Sequence, residues 1–237
     1  VGLLDTLLGR TKPVKADLDR LFALPPAQIT LQVRELLLPT GQAGICFKPA
    51  TGPGFGDAER EIRDLLALDD ANDLDGTAPP ALAAAGTASP PAGVDPHPAR
   101  PADAQAGSVT SSLTESSDEY GYRWIVLESA DFENLVTRAH FVNSTLDEHG
   151  WSSQLLCSVF GFGQQPAGDS EAATAPGPAT LYLVYLYKRG SFYPFVPLGG
   201  ERRDNEAELR LKAELAGDLP IEPELDRWFP IWKLPLR

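Results

Sequence analysis

From Gly56 to Glu119 the chain contains no Phe, Tyr or Trp, while aromatic residues recur on both sides of that gap. Inside it, Gly76 to Pro101 carries seven prolines among Ala, Gly and Thr, and Ser108-Val109-Thr110-Ser111-Ser112 follows. Such a stretch buries too little apolar surface to offset the entropy lost on ordering. The core is therefore expected to come from two separated blocks, residues 1–69 and 119–237, with 70–118 a disordered, acidic Pro/Ala/Ser-rich linker. The first block has only two strand-like runs, so the blocks are read as two halves of one domain. A second Pro/Gly/Ala-rich insert, 164–179, is expected to be flexible and to extend a hairpin.

The formal net charge is −13. Asp69 to Glu119 holds nine acids and one base, Arg100, a net −8, so the remainder carries −13 + 8 = −5. The acidity belongs mostly to the linker, and no basic footprint for nucleic acid is present. No run of about 18 apolar residues encodes a membrane span. Two cysteines exclude a disulfide-dense scaffold and a four-Cys zinc site.

Periodicity predicts a helix over Asp17 to Ala23, ended by Pro25-Pro26. Alternation at Ile29, Leu31 and Val33 predicts a strand over Ile29 to Leu38, a turn at Gly41 and a return strand over Gly44 to Lys48. Asp57 to Leu68 reads as a helix. After the linker come a strand over Tyr120 to Glu128 and a long helix capped by Asp131. Its stripe is Phe132, Leu135, Val136, Ala139, Val142 and Leu146, and Gly150 is its stop. Strands at Gln154 to Phe162, Leu181 to Tyr187 and Phe192 to Val196 precede a helix capped by Asp204 or Asn205. The expected fold is α+β: one antiparallel sheet of five to six strands with helices packed mainly on one face.

Catalytic signatures are absent: there is no Walker loop, G-x-G-x-x-G, H-E-x-x-H or G-x-S-x-G. No catalytic residue, metal site or cofactor is assigned. His140 and His149 fall on opposite sides of one helix and cannot form a two-His metal pair there. Cys46 and Cys157 are expected to be buried and inert. The aromatic strand Leu181 to Tyr187 and the basic pairs around its neighbour supply a candidate partner-binding surface: Tyr185, Tyr187, Lys188, Arg189, Arg202 and Arg203. Near the N-terminus, Leu3, Leu4, Leu7 and Leu8 form one face of a short helix suited to a membrane surface or a partner.

Three runs carry a family resemblance. They are Gly2-Leu3-Leu4-Asp5-Thr6-Leu7-Leu8-Gly9-Arg10, Asn143-Ser144-Thr145-Leu146 with Gln154-Leu155-Leu156-Cys157, and Tyr185-Leu186-Tyr187-Lys188-Arg189-Gly190 to Gly200-Glu201-Arg202-Arg203-Asp204-Asn205. They resemble PspAB, the PspA-associated proteins of high-GC bacteria and archaea, over residues 2–68 and 119–233. The resemblance implies a link to phage-shock protein A, a membrane-remodelling coiled-coil protein of envelope stress, and transfers no catalytic residue. The element order is also similar to the type III secretion chaperone fold, an analogy at the level of fold alone. An opening Val1 and the lack of any Met fit a GTG start read as Val, and so a complete bacterial open reading frame.

The expectation is a non-enzymatic cytoplasmic adaptor or regulator of a PspA-type stress response, with a PspA-like protein as partner and the inner membrane face as a second contact. The alternatives are a peripheral protein binding anionic lipid and an enzyme with an unfamiliar site.

Overall fold

The structure, a computed structural model, describes residues 17–49, 53–74, 113–118, 121–164 and 177–236. Leu3, Leu4, Leu7 and Leu8 lie outside them, as do 75–112 of the linker and 165–176 of the second insert.

A short 3-10 segment, Leu18–Ala23, leads directly into α1, Leu24–Glu35. This corrects the strand expected over Ile29 to Leu38. Pro25 and Pro26 do not end a helix here but open one. In the first turn the N–H groups have no intrahelical partner to lose. Leu24, Ala27, Leu31 and Glu35 are buried at helical spacing, while Ile29 and Val33 face outward. Leu36 takes a left-handed conformation, φ 56°, and stops the helix immediately before β1, Leu37–Phe47. The turn and return strand expected around Gly41 are a single long strand. Its register shifts between Pro39 and Ala43, where Gly41 adopts φ 77°.

Helix α2, Pro53–Leu74, runs past the expected end at Leu68. Strand β2, Leu113–Ser117, was not anticipated. The stretch 70–118 assigned to the linker is thus regular at both ends, in the last turn of α2 and in β2. There follow β3, Arg123–Glu128; α3, Phe132–Glu148; β4, Leu155–Gln164; β5, Thr180–Leu186; and β6, Ser191–Phe195. A small ribbon of β7, Pro197–Gly199, and β8, Arg202–Arg203, precedes α4, Asn205–Leu215.

Six strands form one antiparallel sheet in the order β2-β3-β1-β4-β5-β6. Strand β1, from the first block, lies between β3 and β4 from the second, so the blocks share one sheet. The α+β class, the antiparallel sheet and the helical layer are as the sequence predicts.

Alternation along the strands creates two apolar faces. Ile45, Phe47, Ile125, Leu127, Phe160, Phe162, Leu183 and Tyr185 belong to the larger core, with Leu31 of α1, the α3 stripe and Leu211 of α4. The opposite face carries Cys46, Trp124, Val126, Cys157, Val159, Val184, Tyr193 and Phe195. No helix covers that face among the described residues. The C-terminal segment does, through Trp228, Ile231, Trp232, Leu234 and Leu236.

Helix α3 shows why its sequence was readable. The Asp131 side chain accepts a hydrogen bond from the Asn134 amide at 2.9 Å, satisfying one of the free N–H groups of the first turn. All six predicted stripe residues are buried. Asn143, also buried, donates to the Ala139 carbonyl and to Ser158 Oγ on β4. Replacing Asp131 with Ala is expected to cost about 1 kcal/mol, read as a lower urea midpoint at unchanged m-value.

Candidate functional site

The six residues proposed as a partner-binding surface are not brought together as one. Tyr185 and Tyr187 share a face, as the alternation predicts, but it is the helix-covered face, and both are buried. The Tyr185 hydroxyl donates to the Asp17 carbonyl at 2.6 Å, and burial pushes its phenol up to about 12. Lys188 and Arg202 are exposed, at opposite ends of β6. Arg189 and Arg203 are engaged with their own chain. An outward aromatic surface is therefore a correction. The sequence gives the pairing of faces but not which face the helices occupy.

Arg189 and Arg203 fasten the C-terminal segment. Arg189 makes a bidentate pair with Glu222, Nε to Oε2 and Nη2 to Oε1, both at 3.0 Å. Ser191 Oγ donates to the same carboxylate at 2.7 Å, and the Glu224 amide at 3.2 Å. Glu222 is wholly buried. The Arg189 guanidinium, with help from Ser191 and the Glu224 amide, holds its carboxyl well below the ordinary range, at about 2. The backbone is fixed at the same place: the Phe192 amide donates to the Pro220 carbonyl and the Glu222 amide to the Phe192 carbonyl, both at 2.8 Å. Arg203 binds Glu208 of α4 and donates to the Trp228 carbonyl at 2.6 Å. Tyr193 donates to the Phe229 carbonyl at 2.7 Å. Each polar anchor sits on β6 or just beyond its ends, along one sheet edge.

Beyond these anchors the segment arches over the uncovered face. A cavity of about 620 Å³ remains between strap and sheet, with Cys46, Trp124, Cys157 and Tyr193 on the sheet side and Phe229, Ile231 and Trp232 on the strap. Its size and apolar lining are those of small-molecule sites. At its margin, Asp118 accepts from the Tyr122 amide at 2.9 Å and from Trp124 Nε1 at 3.2 Å. No sequence motif pointed to this cavity, because its walls come from five strands and an irregular tail.

The histidines belong elsewhere. His140 contacts Asp19 at 3.3 Å and His149 contacts Glu61 at 2.7 Å. Helix α3 lies on the opposite side of the sheet from Cys157, so no Cys157–His140 dyad forms. Among the described residues no group of three or more His, Cys, Asp or Glu is placed to hold a metal ion. No helix among them is long and apolar enough to cross a membrane.

One exposed feature stands out. Ile29 and Val33 follow each other at i and i+4 on the outer side of α1, with relative exposures of 63 and 74 %, and Leu36, the left-handed residue that ends the helix, is 47 % exposed just beyond them. Phe22, just before the helix, is also exposed. Apolar side chains at this spacing form a continuous ridge of the kind that packs against another helix.

The family model described as PspA associated protein B, PspAB, matches residues 1–78 and 102–236. The chain belongs to this family. The match covers both blocks and omits the centre of the Pro/Ala segment, 79–101, and it reaches further into the linker than the runs that first carried the resemblance. No curated protein and no solved structure gives a significant match. Membership thus connects this chain with PspA and assigns no residue a role. The Arg189–Glu222 pair and the α1 ridge are readings of this chain alone.

The strap anchor has a defined pH response. The folded-state pKa of Glu222 lies at about 2, below its ordinary 4.5. As pH falls, the unfolded chain takes up the proton first. The contribution of this site is full above about 4.5 and is lost as pH falls toward about 2. Urea midpoints followed down through that window are expected to drop more steeply for the wild type than for Glu222→Gln. Arg189→Ala, which leaves the buried carboxylate without its main partner, is expected to cost about 2 kcal/mol at neutral pH.

Proposed function

We propose that the protein is a non-enzymatic adaptor or regulator linked to PspA in an envelope-stress response, and that it binds a PspA-like protein through the outer face of α1. Family membership supports the link to PspA. The observation that carries the binding face is the exposed pair Ile29 and Val33, one helical turn apart on a helix whose other side is fully packed, with Leu36 exposed at the residue that ends it. A coiled-coil partner offers a complementary apolar stripe, and knobs from such a helix fit beside side chains at i and i+4. The residues first assigned to the interface give less support, since Tyr185, Tyr187, Arg189 and Arg203 are occupied within the fold.

Peripheral contact with the inner face of the membrane remains part of the proposal through the partner rather than through a spanning segment. Ile29→Glu combined with Val33→Glu is expected to abolish capture of a PspA-like protein from native cells. Both side chains are exposed, so stability is expected to change by no more than about 0.5 kcal/mol per site. Undiminished capture by the folded double variant would overturn the assignment of the face. Recovery of no PspA-like protein by the wild type would overturn the adaptor reading itself.

A further inference from the structure

The chain has two cysteines, and both are free thiols. The fold sets them directly opposite each other. Cys46 on β1 pairs with Cys157 on β4 in the antiparallel register, and both side chains lie on the strap-covered face. They are the middle of a row running across four strands, Trp124, Cys46, Cys157 and Leu186. Directly opposed residues of an antiparallel pair have Cα atoms about 4.5 or about 5.5 Å apart. Either spacing lies inside the range of about 4.4 to 6.8 Å that a disulfide spans without backbone movement.

The thiols also interact. Cys46 and Cys157 are within hydrogen-bonding reach, and that contact, reinforced by burial, pushes the Cys46 thiol far up. Both cysteines line the cavity under the strap, with Cys157 the more exposed at 9 % against 4 %. Ile231 and Trp232 of the strap line the same cavity.

We propose that Cys46 and Cys157 form a modification site, a reversible intramolecular disulfide made when a small hydroperoxide enters the cavity. The Cys157 sulfur attacks a peroxide oxygen and the O–O bond breaks. Cys157 becomes a sulfenic acid, and hydrogen peroxide loses its other oxygen as water. The Cys46 sulfur then attacks the Cys157 sulfur; the S–O bond breaks, and the hydroxyl leaves as a second water with the Cys46 proton. Two thiols lose two electrons and two protons, and one peroxide becomes two waters. The bond joins the first block to the second across the whole Pro/Ala segment and leaves the register of β1 and β4 unchanged.

The test uses the full, reduced chain, treated with a small excess of hydrogen peroxide and then denatured with N-ethylmaleimide present. The expected product is a monomer about 2 Da lighter, with no maleimide adduct, restored to two adducts by dithiothreitol. Fluorescence of Trp124, the cross-strand neighbour of Cys46, is expected to fall on oxidation and recover on reduction. Bond formation is expected to be at least about tenfold faster in the native chain than in denaturing urea, because the fold supplies the alignment. Two maleimide adducts after peroxide would show inert core thiols and overturn the proposal. So would a gain of oxygen without bond formation, a disulfide-linked dimer, or equal rates in the native and urea-unfolded chains. Cys46→Ser and Cys157→Ser are expected to lose the bond. The wild-type mass and rate measurements decide the matter even if either variant fails to fold.

Discussion

The bond between Arg189 and Glu222 stands where the fold meets its most demanding requirement. A sheet with apolar side chains on both faces has to be covered twice. The first cover is regular: α1, α2, α3 and α4 contribute apolar stripes to the core on one face. The second is a segment with little regular structure, whose backbone lacks a ladder to hold it. Its Trp and Leu side chains supply the hydrophobic driving force, but apolar contact alone does not fix where an irregular chain lies. A buried carboxylate with a bidentate guanidinium, a serine hydroxyl and a backbone amide does fix it. A charge buried at that point is costly unless every partner is in place, so the arrangement tolerates one geometry and penalises others.

That requirement explains which parts of the fold were legible. Helix α3 and strands β4 to β6 declared themselves because period, cap and partner agreed. Asp131 sits where an N-cap is needed, and each α3 stripe residue is buried. Helix α1 was misread because two local signals conflicted with its tertiary role. Ile29, Leu31 and Val33 alternate as a strand would, yet only Leu31 is buried, and it shares its stripe with Leu24, Ala27 and Glu35. Pro25 and Pro26 read as breakers, although the first turn of a helix accepts proline. Strand β2 was hidden for another reason: Leu113-Thr114-Glu115-Ser116-Ser117 is polar because it is the edge of the sheet, paired on one side only with β3. Edge strands are kept polar to discourage further pairing, which removes the apolar alternation that reveals a strand.

The candidate site was legible in its residues and not in their use. The basic and aromatic run from Tyr185 to Arg203 stands out in the sequence. Arg189 and Arg203 do bind acidic groups, but these are Glu222, Glu224 and Glu208 of the same chain. A sequence separates Arg189 from Glu222 by thirty-three positions and gives no sign that a strand and a tail will bring them within 3.0 Å. Exposure is equally opaque: Ile29 and Val33 look like core residues, and only the packing of Leu24, Ala27 and Leu31 against the body turns them outward.

Position within the sheet links these features. Among the described residues β1 is the only strand from the first block, and it lies at the centre, between β3 and β4. Its inward residues, Ile45 and Phe47, belong to the helix-side core, while Cys46 between them belongs to the strap side. The helix before β1 carries the exposed ridge, and the left-handed Leu36 joins the two without a loop. The linker therefore separates in sequence what the sheet unites in space. Cross-strand hydrogen bonds to β3 and β4 hold β1 whatever the length of the intervening chain, because loop closure costs grow only with the logarithm of loop length. A long Pro/Ala insertion is tolerated here for that reason, and the two faces of the protein, ridge and strap, stay in fixed relation through one central strand.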